Sequence, residues 1–334
     1  MNPTDLDALE REIETLRGRL RDLRAEIGRA FLGHEDLVQH VLAALVAGGH
    51  CLVEGVPGLG KTILVKTLAR ALDLRFSRIQ FTPDLMPADV TGTNILVEDE
   101  RGRRGFRFQA GPIFGHVVLA DEINRATPKT QSALLEAMQE RGVTVAGERH
   151  VLEEPFLVLA TQNPIEMEGT YPLPEAQIDR FLLKLRILPP GVDDLVRILD
   201  LTTAASEPEV RPVLGREDVL RLRRFVREIP VASHLKRLAA LVVSLTSPAS
   251  ADSPASIRRF VRYGSSPRGG QAMVLGGKAL ALFAGRYNVS EDDLVAIALP
   301  ALRHRLLLNF EGEAEGVDPD DLVREAVDLA RKRV

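Results

Sequence analysis

An α/β domain built on a parallel sheet, followed by a helical domain, is predicted by three observations. From about residue 31 to Pro190, short apolar runs bounded by turn residues alternate with segments of helical periodicity, as in a sheet covered on both faces. Beyond Pro189-Pro190-Gly191 the strand signals fade and helical periodicity dominates. One early apolar run leads directly into Gly55-Val56-Pro57-Gly58-Leu59-Gly60-Lys61-Thr62, a glycine-rich turn between strand and helix.

Taken in order, the chain opens with a long amphipathic helix. Leu6, Leu9, Ile13, Leu16, Leu20, Leu23 and Ile27 step by three and four, with Arg, Glu and Asp filling most places between. A stripe of about three heptads serves either a coiled coil with a partner or a helix laid on its own domain, and Gly18 weakens the coil. Core strands are expected near residues 50–54, 76–81, 116–121, 156–161 and 181–187. Thr62 to Leu72 has the period of a helix entered from the glycine-rich turn. Thr127 as N-cap, Pro128 at the first helical position and Gly142 past the last turn delimit another, whose entry can lock the loop before it. Thr93 to Phe114 and Val143 to Leu152, the latter turning at Ala146-Gly147-Glu148, read as hairpins inserted into the core. Helices are expected at 193–204, 216–229, 231–246, 267–285, 291–299 and 319–333, and the Ser-, Ala- and Pro-rich stretch Thr246 to Ser256 as a loop. This divides the chain into residues 1–30, 31–190 and 191–334.

Composition bounds the function classes. At 334 residues with 45% apolar and 27% charged content the chain is an ordinary globular protein, long enough for two domains. A net charge of −4 and a pI near 6.0 give no global field for nucleic acid or anionic lipid. The lone cysteine, Cys51, excludes an internal disulfide and reads as a packed thiol. The seven histidines show no ligand spacing, so no structural metal is expected. Met1-Asn2-Pro3-Thr4-Asp5 lacks a basic region followed by an apolar stretch, and no window approaches about eighteen uninterrupted apolar residues. A cytoplasmic protein without membrane insertion is expected.

The chemistry sits at two strand ends. In the glycine-rich turn, backbone N–H groups and the positive end of the following helix suit phosphate, Lys61 suits the outer phosphates, and the Thr62 hydroxyl suits Mg²⁺. Gly55, Pro57, Gly58, Gly60, Lys61, Thr62 and Ile63, with Asp121, are the nucleotide-binding candidates, and Thr62 and Asp121 the metal ligands. Val117-Val118-Leu119-Ala120-Asp121-Glu122 ends in two carboxylates where a buried parallel strand delivers its ligands. Glu122 is the informative one: a second carboxylate beside the metal can orient and polarise water, which argues for nucleotide hydrolysis rather than transfer to a bound metabolite.

Those strings, with Leu-Ala-Asp-Glu-Ile-Asn-Arg-Ala at 119–126, Ala-Thr-Gln-Asn-Pro at 160–164, Gly-Thr-Tyr-Pro-Leu-Pro-Glu-Ala-Gln-Ile-Asp-Arg-Phe at 169–181 and Ser-Pro-Arg at 266–268, resemble the MoxR family of AAA+ ATPases from about residue 27 almost to the C-terminus. The resemblance implies an AAA+ P-loop core with a five-stranded parallel sheet and inserted hairpins, followed by an all-helical lid. It implies ATP and Mg²⁺ as cofactors and a homo-oligomeric ring of six. It makes Asn163 the first sensor, Arg180 the arginine offered to the neighbouring subunit's site, and Arg268 a second sensor reaching across the cleft to the nucleotide and reporting lid position. Phe31-Leu32-Gly33-His34 would line the adenine pocket, with His34 where the family commonly carries glutamine. The hairpin loops would face a pore or a client, and the Arg101, Arg103, Arg104 and Arg107 cluster, balanced by Glu98, Asp99 and Glu100, reads as a solvated tip. Chaperone-like remodelling of protein clients, often beside a partner with a von Willebrand factor A domain, follows by family alone. On this view ATP and ADP favour different arrangements of the two domains. A nucleic-acid motor using the same hairpins is the alternative, disfavoured by the acidic balance, the absence of Trp and only three Tyr. A small-molecule kinase, a third reading, needs an acceptor pocket and no arginine in trans.

Overall fold

Five apolar runs become the strands of one parallel sheet: β1 Cys51–Glu54, β2 Phe76–Gln80, β3 Val117–Asp121, β4 Leu157–Gln162 and β5 Leu183–Arg186. The computed structural model describes residues 3–98, 100, 102–164, 169–204, 206 and 208–334, with side chains from residue 11 onward. The strand order is β2-β3-β4-β1-β5, with Phe76 beside Val117, Val117 beside Leu157, and Cys51 between Leu159 and Leu183. Because every pairing is parallel, all five carboxyl ends meet along one edge, where a crevice for ligand forms.

Strand alternation sends side chains to two cores. Leu52, Val118, Ala120, Val158 and Ala160 pack with Leu134, Leu135 and Met138 of the helix Pro128–Glu140. Cys51, Val53, Leu119 and Leu159 join the larger cluster on the other face, which takes in the first helices and the lid. The longer helices are α1 Pro3–Ala30, α2 Glu35–Ala47, α3 Lys61–Ala71, α4 Pro128–Glu140, α5 Val192–Thr202, α6 Arg216–Glu228, α7 Ser233–Leu245, α8 Pro267–Phe283, α9 Glu291–Leu302 and α10 Pro319–Arg331. Leu16, Leu20, Leu23 and Ile27 are buried in the chain's own core, so this part of the α1 stripe is satisfied without a partner helix. The side chains of Leu6 and Leu9 lie outside the described residues.

The two inserted hairpins are present, Gly92–Glu98 with Arg104–Ala110 and Gly142–Val145 with Glu148–Val151. Phe108 of the first stacks on His150 of the second, ring centroids 3.7 Å apart, which fixes them side by side. Leu96 and Phe106, paired across the first hairpin, are exposed. Arg101 lies outside the described residues.

Three local expectations change. The last turn of α4 is closed by Arg141 in the left-handed region, φ 50°, one residue before the glycine expected to do it, because Gly142 already pairs with Val151 in the second hairpin. The loop after α7 is shorter than composition suggests, since Pro254 starts a helical turn over Ala255–Phe260. The lid also holds a small antiparallel pairing, Val261–Tyr263 with Leu307–Leu308, too short to leave a strand signal.

The lid is fastened to the core by buried charges. Arg305, almost fully buried, donates to Asp179 Oδ1 at 2.8 Å and to the carbonyls of Phe181 at 2.8 Å and Leu182 at 3.2 Å. Arg303, which holds Asp320 within the lid at 2.9 Å, also donates to the Lys184 carbonyl of β5 at 3.3 Å, and partly exposed Arg186 at the end of β5 holds Asp318 at 2.9 Å. The Arg305 bonds tie the end of α9 to the segment entering β5, and the Arg303 and Arg186 bonds tie the lid along β5 itself.

Candidate active site

Gly55 to Gly60 crosses from β1 to α3 at the carboxyl edge of the sheet. Gly58 and Gly60 have φ of 86° and 75°, a region that penalises side chains. A Cβ on Gly58 would meet nothing within 4 Å, so that loop face is open. On its other side Gly55 is pressed against β5, where an added Cβ would lie 3.1 Å from the backbone oxygen of Ile187. Lys61 Nζ donates to the Gly55 carbonyl at 2.6 Å, folding the lysine back over the loop. Burial lowers the Lys61 pKa, while Asp121 and Glu122 oppose that shift through their charge.

The carboxylates are held from three strands. Asp121 is nearly buried; Thr161 Oγ1 donates to its Oδ1 at 2.7 Å and Arg78 Nη2 to its Oδ2 at 2.6 Å. Glu122 sits in the left-handed region at φ 55°, a conformation costing about 1–2 kcal/mol for a residue with a Cβ. The strain is retained because its N–H donates to the same Thr161 hydroxyl at 2.8 Å, while Gln80 Nε2 and Arg125 Nη1 donate to Oε2 at 3.0 and 2.8 Å. The loop beyond is pinned by buried Gln131 of α4, whose Nε2 donates to the carbonyls of Ile123, Ala126 and Tyr171. The expected locking of this loop by the α4 entry therefore runs through one amide. Asn163, also buried, follows the end of β4 at the same edge.

An open glycine cradle, a lysine over it, a threonine hydroxyl at the start of α3 and a strand-end carboxylate suit a nucleoside triphosphate with Mg²⁺. Thr62 and Asp121 are the residues that would hold the metal, and Asp121 already carries Arg78. Arg78, Gln80, Thr161 and Gln131 were not among the expected site residues. A period-2 reading of β2 beside β3 would have found the first two, since Gln80 pairs with Asp121 in register. Nothing local marks Thr161, which reads as strand, or Gln131, which reads as helix.

Arg180 and Arg268 lie elsewhere. Both line a cavity of about 390 Å³ with Gly48, Gly49, His50, Leu182 and Arg141. Gly48 to His50 precede β1, whereas the phosphate loop follows it, and four residues of strand separate the two by about 13 Å. Arg268 was expected to reach its own nucleotide; instead it stands 3.6 Å from Asp179, the neighbour of Arg180, at the opposite edge of the sheet. The cause is the lid latch, which draws the start of α8 to the amino ends of the strands.

Comparison with known proteins agrees with this architecture. Residues 50–183 match the family model of ATPases associated with various cellular activities (AAA), and residues 255–326 match the AAA lid domain. Chaperone MoxR1 of Mycobacterium tuberculosis is 39% identical over 96% of this chain and 83% of its own length. Protein MoxR of Paracoccus denitrificans is 31% identical over 93% of this chain and 96% of its own. A crystal structure of a Cytophaga hutchinsonii protein superposes with a TM-score of 0.91 at 36% identity, covering 97% of this chain and 98% of that one.

Proposed function

We propose, from the premise that this chain belongs to the MoxR family of AAA+ ATPases, that it hydrolyses ATP in a ring of identical copies, each supplying arginines to its neighbour's nucleotide, and that it uses the resulting motion to remodel protein clients. The observation that carries the ring is the separation just described: the phosphate loop and carboxylates lie at one edge of the sheet, Arg180 and Arg268 at the other. Half a site at each edge is what a head-to-tail closed assembly requires.

The residues act in sequence. Backbone N–H groups of the loop and Lys61 would hold the phosphates, and Thr62 and Asp121 would hold the metal, which would supply charge withdrawal from the phosphoryl oxygens. Glu122 accepts a hydrogen bond from the attacking water and draws its proton, and Asn163 fixes that water from β4. Arg180 of the adjacent copy stabilises the charge that develops as the bond breaks, with Arg268 beside it. Because both cations arrive from outside, a solitary chain turns over slowly.

Chaperone MoxR1 is so named as a relative, and the hairpins with exposed Leu96 and Phe106 are the parts of this chain suited to a client polypeptide. A partner with a von Willebrand factor A domain belongs to the same reading. The test is mixing Arg180→Ala with Glu122→Gln chains, each inactive alone. Some mixed interfaces regain both groups, so turnover should recover partly; no recovery at any ratio rules out action in trans.

A further inference from the structure

Helix α5, Val192–Thr202, contains no buried residue, yet it is strongly amphipathic. Val192, Leu195, Val196 and Leu199 recur at helical spacing and are about half exposed or more, and Leu188 just before the helix extends the stripe. Five large apolar side chains exposed within a dozen residues form a contiguous patch, which monomeric surfaces rarely carry without a use.

Its position identifies the occupant. The chain leaves β5 against the phosphate loop, Ile187 N–H bonding the Glu54 carbonyl at 2.8 Å. Asp194 lies against Gly33, where an added Cβ would be 3.1 Å from the Asp194 Cβ, and Phe31 stands equally close to Gly60 of the loop. Helix α5 thus flanks the mouth of the nucleotide site and carries Asp193, Asp194 and Asp200 beside its apolar stripe. The opposite edge of the same chain offers the complement: a cavity with Leu182, Ala272 and Leu275 in its wall and Arg141, Arg180 and Arg268 around it.

We infer that a second copy of this chain covers the apolar face of α5 with its arginine-ringed edge, the acidic-apolar ridge of one copy seating on the basic-apolar groove of the next. The inference rests on the ring reading above and names the contact that makes it. Packing α5 on the neighbour aims that copy's Arg180 at the phosphate loop, so the stripe and the arginine act as one device: apolar burial supplies adhesion and charge sets the register.

The test is the double variant Leu195→Glu/Leu199→Glu in the full chain, with Leu195→Ala/Leu199→Ala as a milder form that keeps the helix. Assembly is followed by sedimentation velocity across protein concentration with Mg²⁺ and ATP, and binding of a fluorescent ATP analogue is measured at high dilution. The glutamate variant should raise the concentration for half-assembly about tenfold or more, the alanine variant less, while dilute chains bind nucleotide within about twofold of wild type. A glutamate variant that assembles like wild type overturns the contact and leaves the ring intact. A wild type that stays monomeric at every concentration overturns the ring and the contact together.

Discussion

Thr161→Val isolates one hydroxyl on which both carboxylates depend. Thr161 is almost fully buried at the end of β4; its Oγ1 donates to Asp121 at 2.7 Å and accepts the Glu122 N–H at 2.8 Å. Valine fills the same volume, so no cavity opens and the cost is polar alone. Losing a hydrogen bond to a charged group and orphaning a buried N–H together should cost about 3 kcal/mol. The orphaned N–H belongs to the residue in the left-handed region, so the turn that aims Glu122 relaxes. A displacement of the base by about 1 Å lowers turnover on the order of 100-fold. Urea unfolding measures the first effect and steady-state phosphate release the second, with Thr161→Ser retaining the hydroxyl and most of the activity. A valine variant within about 0.5 kcal/mol of wild type and fully active would refute the argument.

Arg78 would compete with Mg²⁺ for Asp121, so Arg78→Ala should lower the Mg²⁺ concentration for half-maximal nucleotide binding by roughly three- to tenfold in a fluorescence titration; an unchanged midpoint would show that the ion pair does not oppose the metal. Burial holds His50 at a pKa of about 3, against about 6.5 in the unfolded chain. Its contribution is complete above pH 6.5 and declines toward pH 3 as only the unfolded state gains the proton, by about 1.4 kcal/mol per pH unit. Denaturant midpoints at pH 6.5 and 5 should therefore converge in His50→Asn, whose Oδ1 can take the Val158 N–H now bonded at 3.0 Å, by about 2 kcal/mol relative to wild type. Ala146 and Gly147 at the second hairpin tip have φ of 51° and 87°, the signs of a type I′ turn, so Ala146→Asn should raise stability by about 0.5–1 kcal/mol in thermal unfolding. Hydrogen exchange across residues 303–306 should stay equally slow with Mg²⁺–ATP and Mg²⁺–ADP; a nucleotide-dependent change confined there would place the motion within one chain.

The parts of the fold that repeat along the chain are legible in it. Buried strands on both faces are apolar throughout, so Val117 to Ala120 and Leu157 to Ala160 announce themselves, and parallel pairing then sends Asp121 and Asn163 to one edge. The loop is legible because phosphate binding constrains backbone, and only glycine meets the angles at Gly58 and Gly60. Thr161 and Gln131 are not, since each has an ordinary local pattern and gains its role from a partner 40 residues away in sequence. Arg268 shows the limit most clearly. Its motif names an arginine near a nucleotide, but whose nucleotide depends on where the lid docks, and that is decided by Arg305 with Asp179 and Arg186 with Asp318, whose pairing no periodicity reports.

That docking bears on how hydrolysis produces work. Different domain arrangements for ATP and ADP within one chain would require the lid to swing, breaking the contacts of Arg305 with Asp179 and the 181–182 carbonyls, that of Arg303 with the Lys184 carbonyl, and those of Arg186 with Asp318 and Asp320. Separating a buried charge from its partner costs about 3–5 kcal/mol, and here the Arg305–Asp179 pair would open together with the partly exposed pairs of Arg186. Differential nucleotide affinity typically supplies only about 1–3 kcal/mol of coupling per site, too little to open the latch. Sliding one copy against the next breaks no buried charge, and it moves Arg180 and Arg268 toward or away from a phosphate loop they cannot reach in their own chain. In the proposed ring, core and lid would then travel as one body, and the gap that ATP closes and hydrolysis releases would lie between chains. The hairpins, stacked on each other through Phe108 and His150, would carry its rotation outward to a bound polypeptide.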